Sequence, residues 1–322
     1  MKIELFHIIV MFLSLTAIVI AVVPEEGFDI FIPRDTGYID IYFTAHDNLS
    51  EIISSYILSS YDVSCAFFDL EDEAIISSLE RSNARVVIDD EYSHKIEGSQ
   101  IDFVSDFSGK LMHNKFCILD DQIVITGSMN PTERGINHND NNVVIINSKH
   151  IAKNYLDEFN EMHKGIFHEG SNVRFPEVYM GDKLYENYFC PEDDCKKKVY
   201  AELSASENSI YFMTFSFTDD DIGNLLLEKY NSGFEVKGIF ETTQAGSSYS
   251  QHEKLKGFSI RDNNKYTMHH KVFIIDNETV ITGSYNPTKN ADENNDENIL
   301  IIHDKRIADI YLKEFERVMS IS

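Results

Sequence analysis

The stretch MHNKFCILDDQIVITGSMNPT (residues 112–132) recurs as MHHKVFIIDNETVITGSYNPT (268–288). The copies align without gaps at a fixed offset of 156, and the alignment continues to residues 162 and 318. NNVVII (141–146) answers ENILII (297–302), and IAKNYLDEFNEM (151–162) answers IADIYLKEFERV (307–318). Upstream the likeness thins, but DVSCAFFDLEDEAI (62–75) still resembles NSIYFMTFSFTDDDI (208–222). A self-match of this length marks an internal duplication.

Each half reads strand, helix, strand, then a strand pair and a closing helix. The strands RVVID (85–89) and EVKGIF (235–240) complete the first units. VFIID and VITGS are β-branched runs separated by a short polar turn at Asn277-Glu278, and FCILD and IVITGS are their counterparts. Ile307, Tyr311, Phe315 and Val318 recur near the helical period and predict one buried stripe. Alternating strands and helices predict an α/β fold. The simplest assembly is two tandem pseudo-twofold lobes, each a mixed β-sheet flanked by helices, with a site at their interface. The expected boundaries are residues 35–164 and 185–322 for the lobes. The Gly-, Pro- and polar-containing segment 165–184 is the expected connector.

The repeated pattern is His-x-Lys-x4-Asp-x6-Gly-Ser-x-Asn. It comprises His113, Lys115, Asp120, Gly127, Ser128 and Asn130, then His269, Lys271, Asp276, Gly283, Ser284 and Asn286. In an extended segment His113 and Lys115 point to one face. Lysine suits a phosphate, asparagine adds an amide donor and serine a hydroxyl. A twofold would converge two of each on one anion, stabilising the charge on the equatorial oxygens of five-coordinate phosphorus. One histidine can then attack phosphorus while the other protonates the leaving oxygen. Asp120 and Asp276 end their strands and read first as turn or charge-balancing residues.

With both motifs complete, the chain resembles the phospholipase D superfamily over roughly residues 35–322. The resemblance implies attack on a phosphodiester, a covalent phosphohistidine, release by water or transfer to an alcohol, and no metal or other cofactor. It also implies supporting roles for Asp120 and Asp276, and an acidic residue downstream that orients the motif histidine. Glu297 stands 28 residues after His269, whereas Asn141 stands 28 after His113, a departure from the pattern. A carboxylate raises a histidine pKa. His269 with Glu297 is therefore the expected general acid and His113 the nucleophile, with Asp140 available beside Asn141.

Composition narrows the partners. With 28 Lys+Arg against 54 Asp+Glu the net charge is −26, which opposes tight binding to nucleic acid. A hydrophobic content of 43% excludes a disordered chain. Residues 7–23 (HIIVMFLSLTAIVIAVV) predict a signal peptide or N-terminal membrane anchor within 1–23, and so an extracytoplasmic body. Cys190 and Cys195 are spaced for a small disulfide loop, and Cys65 and Cys117 read as buried core. Lys196, Lys197 and Lys198 read as a solvated helix face, and His270 as structural. Phe215 and Phe217 read as core or pocket wall.

The leading expectation is a membrane-associated hydrolase of a phospholipid phosphodiester. The alternatives are a metal-independent nonspecific endonuclease, for which Lys110, Lys254, Lys256, Arg261 and Lys265 would line a groove, and a catalytically silent scaffold. Both motifs lie in one chain, so no protein partner or dimer is required for catalysis.

Overall fold

The computed structural model describes residues 32–322. The apolar segment 7–23 lies outside the described residues. No helix among the described residues is long and apolar enough to cross a membrane.

The first half runs β1 (Arg34–Asp35), β2 (Ile39–Phe43), α1 (Leu49–Leu58), β3 (Val63–Phe67), α2 (Glu73–Arg81), β4 (Arg85–Asp89), α3 (Asp90–Ser93), β5 (Asp102–Asp106), β6 (Lys115–Leu119), β7 (Ile123–Gly127), α4 (Glu133–Asn137), β8 (Asn142–Asn147) and α5 (Lys149–His163). The second continues with β9 (Glu177–Met180), β10 (Lys183–Cys190), α6 (Cys195–Ala205), β11 (Ser209–Thr214), α7 (Asp220–Asn231), β12 (Glu235–Phe240), α8 (His252–Leu255), β13 (Ser259–Arg261), β14 (Lys271–Ile275), β15 (Thr279–Gly283), α9 (Lys289–Glu293), β16 (Glu297–His303) and α10 (Lys305–Ile321).

One mixed sheet has the order β2-β8-β7-β6-β3-β4-β5. The other repeats that order as β10-β16-β15-β14-β11-β12-β13 and adds β9 and β1 at its edge. Segment 165–184 is thus more than a connector: β9 and the start of β10 are strands of the second sheet. Arg34–Asp35 also joins that sheet, pairing parallel to Tyr179 and Met180. The hairpin turns centre one residue earlier than expected. Asp120-Asp121 and Asp276-Asn277 all have φ near +50°, and Gln122 N and Glu278 N close the turns on Leu119 O and Ile275 O.

Strand alternation sends each sheet's residues to two layers. Phe116 and Ile118 face a central core shared by both lobes, whereas Cys117 and Leu119 face an outer core of the first lobe. The closing helices α5 and α10 supply the centre of the shared core. Ile151, Tyr155, Phe159 and Met162 form one stripe, and Ile307, Tyr311, Phe315 and Val318 the other, all buried. Ser148 and Asp304 cap these helices, accepting from Ile151 N and Arg306 N. Both cysteine pairs are bonded: Cys190 to Cys195, and Cys65 to Cys117. The second bond departs from the reading of two separate core thiols. Its reason is register, since antiparallel pairing of β3 with β6 sets Cys65 opposite Cys117.

A buried polar layer joins the lobes with near-twofold symmetry. Asn142 Nδ2 donates to Thr282 Oγ1 (2.9 Å), and Tyr311 OH lies 2.9 Å from the same nitrogen. Across the axis, Thr126 Oγ1 (3.0 Å) and Tyr155 OH (3.2 Å) donate to Asn298 Oδ1. Asn298 Nδ2 donates to Asn114 Oδ1 (2.8 Å), and the matching His270 Nδ1 donates to Asn142 Oδ1 (3.3 Å). Buried polar groups stripped of partners cost about 1–3 kcal/mol each. Asn298→Ala leaves three such groups, so urea denaturation should show a loss of at least about 3 kcal/mol. A loss below about 0.5 kcal/mol, the usual range of surface substitutions, would show the layer is not what joins the lobes.

Candidate active site

The motif histidines are placed by strand bridges that cross between lobes. Met112 pairs with Asp296, and Met268 with Asp140, both parallel. His113 N donates to Asp296 O (3.0 Å) and His269 N to Asp140 O (2.8 Å). Each bridge sets the residue after the aspartate against the other lobe's histidine. His113 Nδ1 donates to Glu297 Oε2 at 2.8 Å. His269 Nδ1 faces two acceptors at 3.0 Å, Asn141 Oδ1 and Ser128 O. The expected pairing of Glu297 with His269 is therefore corrected. The carboxylate serves the first-lobe histidine, and the amide the second. Asp140 does not stand in for a missing acid at His113; its carboxylate is engaged by Arg317 and Asn264.

The remaining motif residues hold this frame. Ser284 Oγ donates to Glu297 Oε2 (2.6 Å) and Ser128 Oγ to Asn141 Oδ1 (2.9 Å), so both hydroxyls orient partners of the histidines. Asn141 Nδ2 donates to Gly135 O (2.9 Å), which fixes its amide with oxygen toward His269. Gly127 and Gly283 have φ of +143° and +140°, and a Cβ on either would stand 2.3 Å from Asn142 O or Asn298 O. Only glycine fits there. Asn286 Oδ1 accepts from Ser216 N (3.3 Å), while Asn130 Oδ1 is buried without a partner among the described residues. Asp120 and Asp276 lie at the opposite strand ends from the lysines. They accept from Tyr61 N and Asp62 N, and from Glu207, Asn208 and Ser209 N, and so pin the chain entering β3 and β11.

The two lysines are buried, and each Nζ donates to its own motif histidine's carbonyl, at 2.6 Å for Lys115 and 2.8 Å for Lys271. Phe68 and Phe215 form matching walls. Each ring lies edge-on to its histidine, at 4.9 and 4.8 Å, and 5.1 Å from the lysine Nζ. Phe217 packs in the second outer core instead. Phe68 was missed at the sequence level, though its place one residue past β3 mirrors that of Phe215 past β11.

Burial dominates the electrostatics. It pushes His113 down to about 4 despite the opposing pull of Glu297, and Lys115 down to about 7. Burial, then the charges of Lys271 and Lys115, hold His269 well below the usual imidazole range. Burial and Lys115 do the same to Lys271. The four side chains lie close enough to disfavour one another's positive charge. Such surroundings are complementary to an anion. With Nδ1 of each histidine engaged as a donor, Nε2 is the atom left for chemistry. Three carboxylate-containing groups among the described residues could hold a metal, and none includes a motif residue: Asp106, His168 and Asp296; Glu158, Glu192 and Asp296; and Glu186, Glu202 and His303.

The sequence profile described as "Cardiolipin synthase, PLD-like domain" matches residues 54–163 and 199–319, once in each lobe. The chain belongs to the phospholipase D superfamily. "Phospholipase D" of Rickettsia bellii (strain RML369-C) is 32% identical over 130 residues, 39% of this chain and 65% of its own length. "Mitochondrial cardiolipin hydrolase" of Mus musculus is 34% identical over 124 residues, 38% of this chain and 56% of its own. The matches thus span less than two thirds of these relatives. Phosphatidylserine synthase of Haemophilus influenzae Rd KW20 shares the fold, with a TM-score of 0.64 at 12% identity over 87% of this chain and 86% of that one.

A lysine whose pKa falls on folding destabilises the native state, fully below its folded value and less as pH rises toward its unfolded one. Lys115→Met should therefore raise Tm, most at or below pH 7 and progressively less toward pH 10, in buffers free of phosphate and sulfate. Thermal unfolding across pH checks this. A lower Tm at pH 6 would show that Lys115 stabilises the empty site.

Proposed function

We propose that the protein is a phosphodiesterase of phospholipase D type, acting on a phospholipid through a phosphohistidine at His113. The supporting observation is the asymmetry across the crossed bridges. Glu297 holds His113 Nδ1–H, which aims the Nε2 lone pair outward and stabilises the cation that forms as Nε2 bonds to phosphorus. His269 has only neutral partners, Asn141 and the Ser128 carbonyl. Its proton affinity rises when the diester anion enters, so substrate itself loads the general acid. His113 Nε2 attacks phosphorus, and the P–O bond to the leaving alcohol breaks as His269 gives that oxygen its proton. Water then attacks the phosphohistidine, giving its proton to His269 and releasing the phosphomonoester. Lys115, Lys271, Asn130 and Asn286 neutralise the phosphoryl oxygens.

Three observations favour a lipid substrate over nucleic acid. The overall charge of −26 repels a polyanion. Of the cations expected to line a strand-binding groove, Lys254, Lys256 and Arg261 are held by Asp220 and Glu253. The loops entering the two motifs instead carry an amphipathic rim. Phe107, 80% exposed, precedes Lys110 on one side, and Lys265 adjoins Tyr266 on the other. The names of the relatives, phospholipase D and cardiolipin hydrolase, agree. The apolar segment 7–23 and the two disulfides support an extracytoplasmic, membrane-held or secreted protein. No protein partner or dimer is needed to complete the site.

The test offers the full-length protein labelled phospholipid vesicles, cardiolipin included, and single-stranded DNA, with His113→Asn as the blank. The expected result is lipid phosphodiester cleavage that the variant abolishes. DNA cleavage without lipid turnover would assign a nuclease and overturn the lipid reading.

A further inference from the structure

The duplication supplies an internal control for the polar clusters, and one beyond the Asn141/Glu297 exchange departs from it. Behind His269 the carboxylates of Asp140 and Glu314 are bridged by Arg317, whose guanidinium contacts Asp140 Oδ1 and lies 2.7 Å from Glu314 Oε1. His270 Nε2 adds a contact to Glu314 at 3.0 Å. Both carboxylates there face the Arg317 guanidinium. The counterparts at offset 156 are Asp296 for Asp140, Glu158 for Glu314, Glu161 for Arg317 and Asn114 for His270. Both bridged carboxylates have counterparts, but the bridging arginine has become a third acid and the histidine an amide.

The corresponding cluster behind His113 is short of donors. Asp296 is 1% and Glu158 5% exposed. Asp296 Oδ2 and Glu192 Oε2 are buried without a hydrogen-bond partner among the described residues. Asp296 Oδ1 accepts from His168 N (2.6 Å). His168 Nδ1 stands 3.2 Å from Oδ2 but is itself unpartnered, while Nε2 of that ring is shared with Asp106 and Ser108. The nearby Arg174 is paired with Asp157. Burial and mutual repulsion push Glu158 and Asp296 well above the usual carboxylate range, and Glu192 up to about 7.

We propose that a calcium-class divalent cation binds between Glu158, Glu192 and Asp296, in the place corresponding to that of the Arg317 guanidinium between Glu314 and Asp140. One oxygen from each of the three lies within 4.8 Å of the others. Calcium takes oxygens at about 2.3–2.6 Å, so oxygens on opposite sides of one ion stand about 5 Å apart. An all-carboxylate set is the hard-ligand chemistry that calcium prefers. A cleft of about 220 Å³, lined by Glu158, Glu161, Lys164 and Phe189 among others, opens beside the cluster and gives waters room to complete the shell. The ion takes no part in the reaction. It holds Asp296, whose carbonyl receives His113 N and whose neighbour Glu297 holds the His113 ring. The ion therefore positions the nucleophile's support from behind.

The test uses full-length protein stripped with a chelator and titrated with calcium chloride, followed by calorimetry and thermal unfolding. Saturable binding is expected, with Tm rising by roughly 5 °C at a calcium concentration about 100 times Kd. Glu158→Gln should weaken binding at least about tenfold, as loss of a charged ligand does. Glu161→Arg rebuilds the bridge that Arg317 makes. It should raise the Tm of the chelated protein and abolish the calcium increment. The proposal fails if calcium produces neither heat nor a Tm shift in the stripped wild type. It also fails if the increment persists in full in both variants. In the first case the cluster is held by shared protons, and lowering the pH would stabilise it.

Discussion

Two short backbone bridges, Met112 with Asp296 and Met268 with Asp140, set the geometry on which the site depends. Each takes the loop entering one lobe's motif and ties it to the strand entry of the other lobe. The bridges make the site a joint product, because neither lobe alone gives its histidine a partner for Nδ1. They also explain the polar layer beneath. Once the strands cross, Asn142 and Asn298 are carried into the centre, where the threonines and tyrosines of both halves satisfy them. Much of the shared apolar core, with helices α5 and α10 between the sheets, holds that crossing in place.

On this symmetric frame the chemistry is asymmetric. A duplicated chain begins with two equal histidines, and a single exchange at offset 156, asparagine at 141 against glutamate at 297, separates their roles. In the proposed reaction the carboxylate stabilises positive charge that develops on His113, and the amide leaves the charge state of His269 to the substrate. Burial of two lysines and two histidines around one space makes the empty site costly in charge and receptive to an anion. The same frame diverges a second time, where Glu161 replaces the counterpart of Arg317.

Much of this was legible in the sequence because repetition and period are linear properties. The motif residues, the first strand-helix-strand unit, the strand pair and the closing helix of each half, and the stripe of α10, follow from spacing, whereas the sheet strands β2, β5 and β8 and their counterparts β10, β13 and β16 do not. Partners across the twofold were not legible. A residue 28 positions after a histidine can return to that histidine or to its double, and only the crossed bridges decide for the double. The bond between Cys65 and Cys117 needed the register of β3 on β6, which two apolar runs do not reveal. Strand β9 was hidden because an edge strand among Gly and Pro carries little pattern. Phe68 was overlooked because its likeness to Phe215 lies in the poorly aligned part of the repeat.

The most direct test of the crossed assignment is to trap the covalent intermediate. Full-length protein would be mixed with a radiolabelled diester substrate, quenched in alkali within one turnover, digested and sequenced by mass spectrometry. Phosphate on the peptide containing His113 is the predicted result. Phosphate on the peptide containing His269 would contradict the account, because the nucleophile would then be the histidine without a carboxylate behind it.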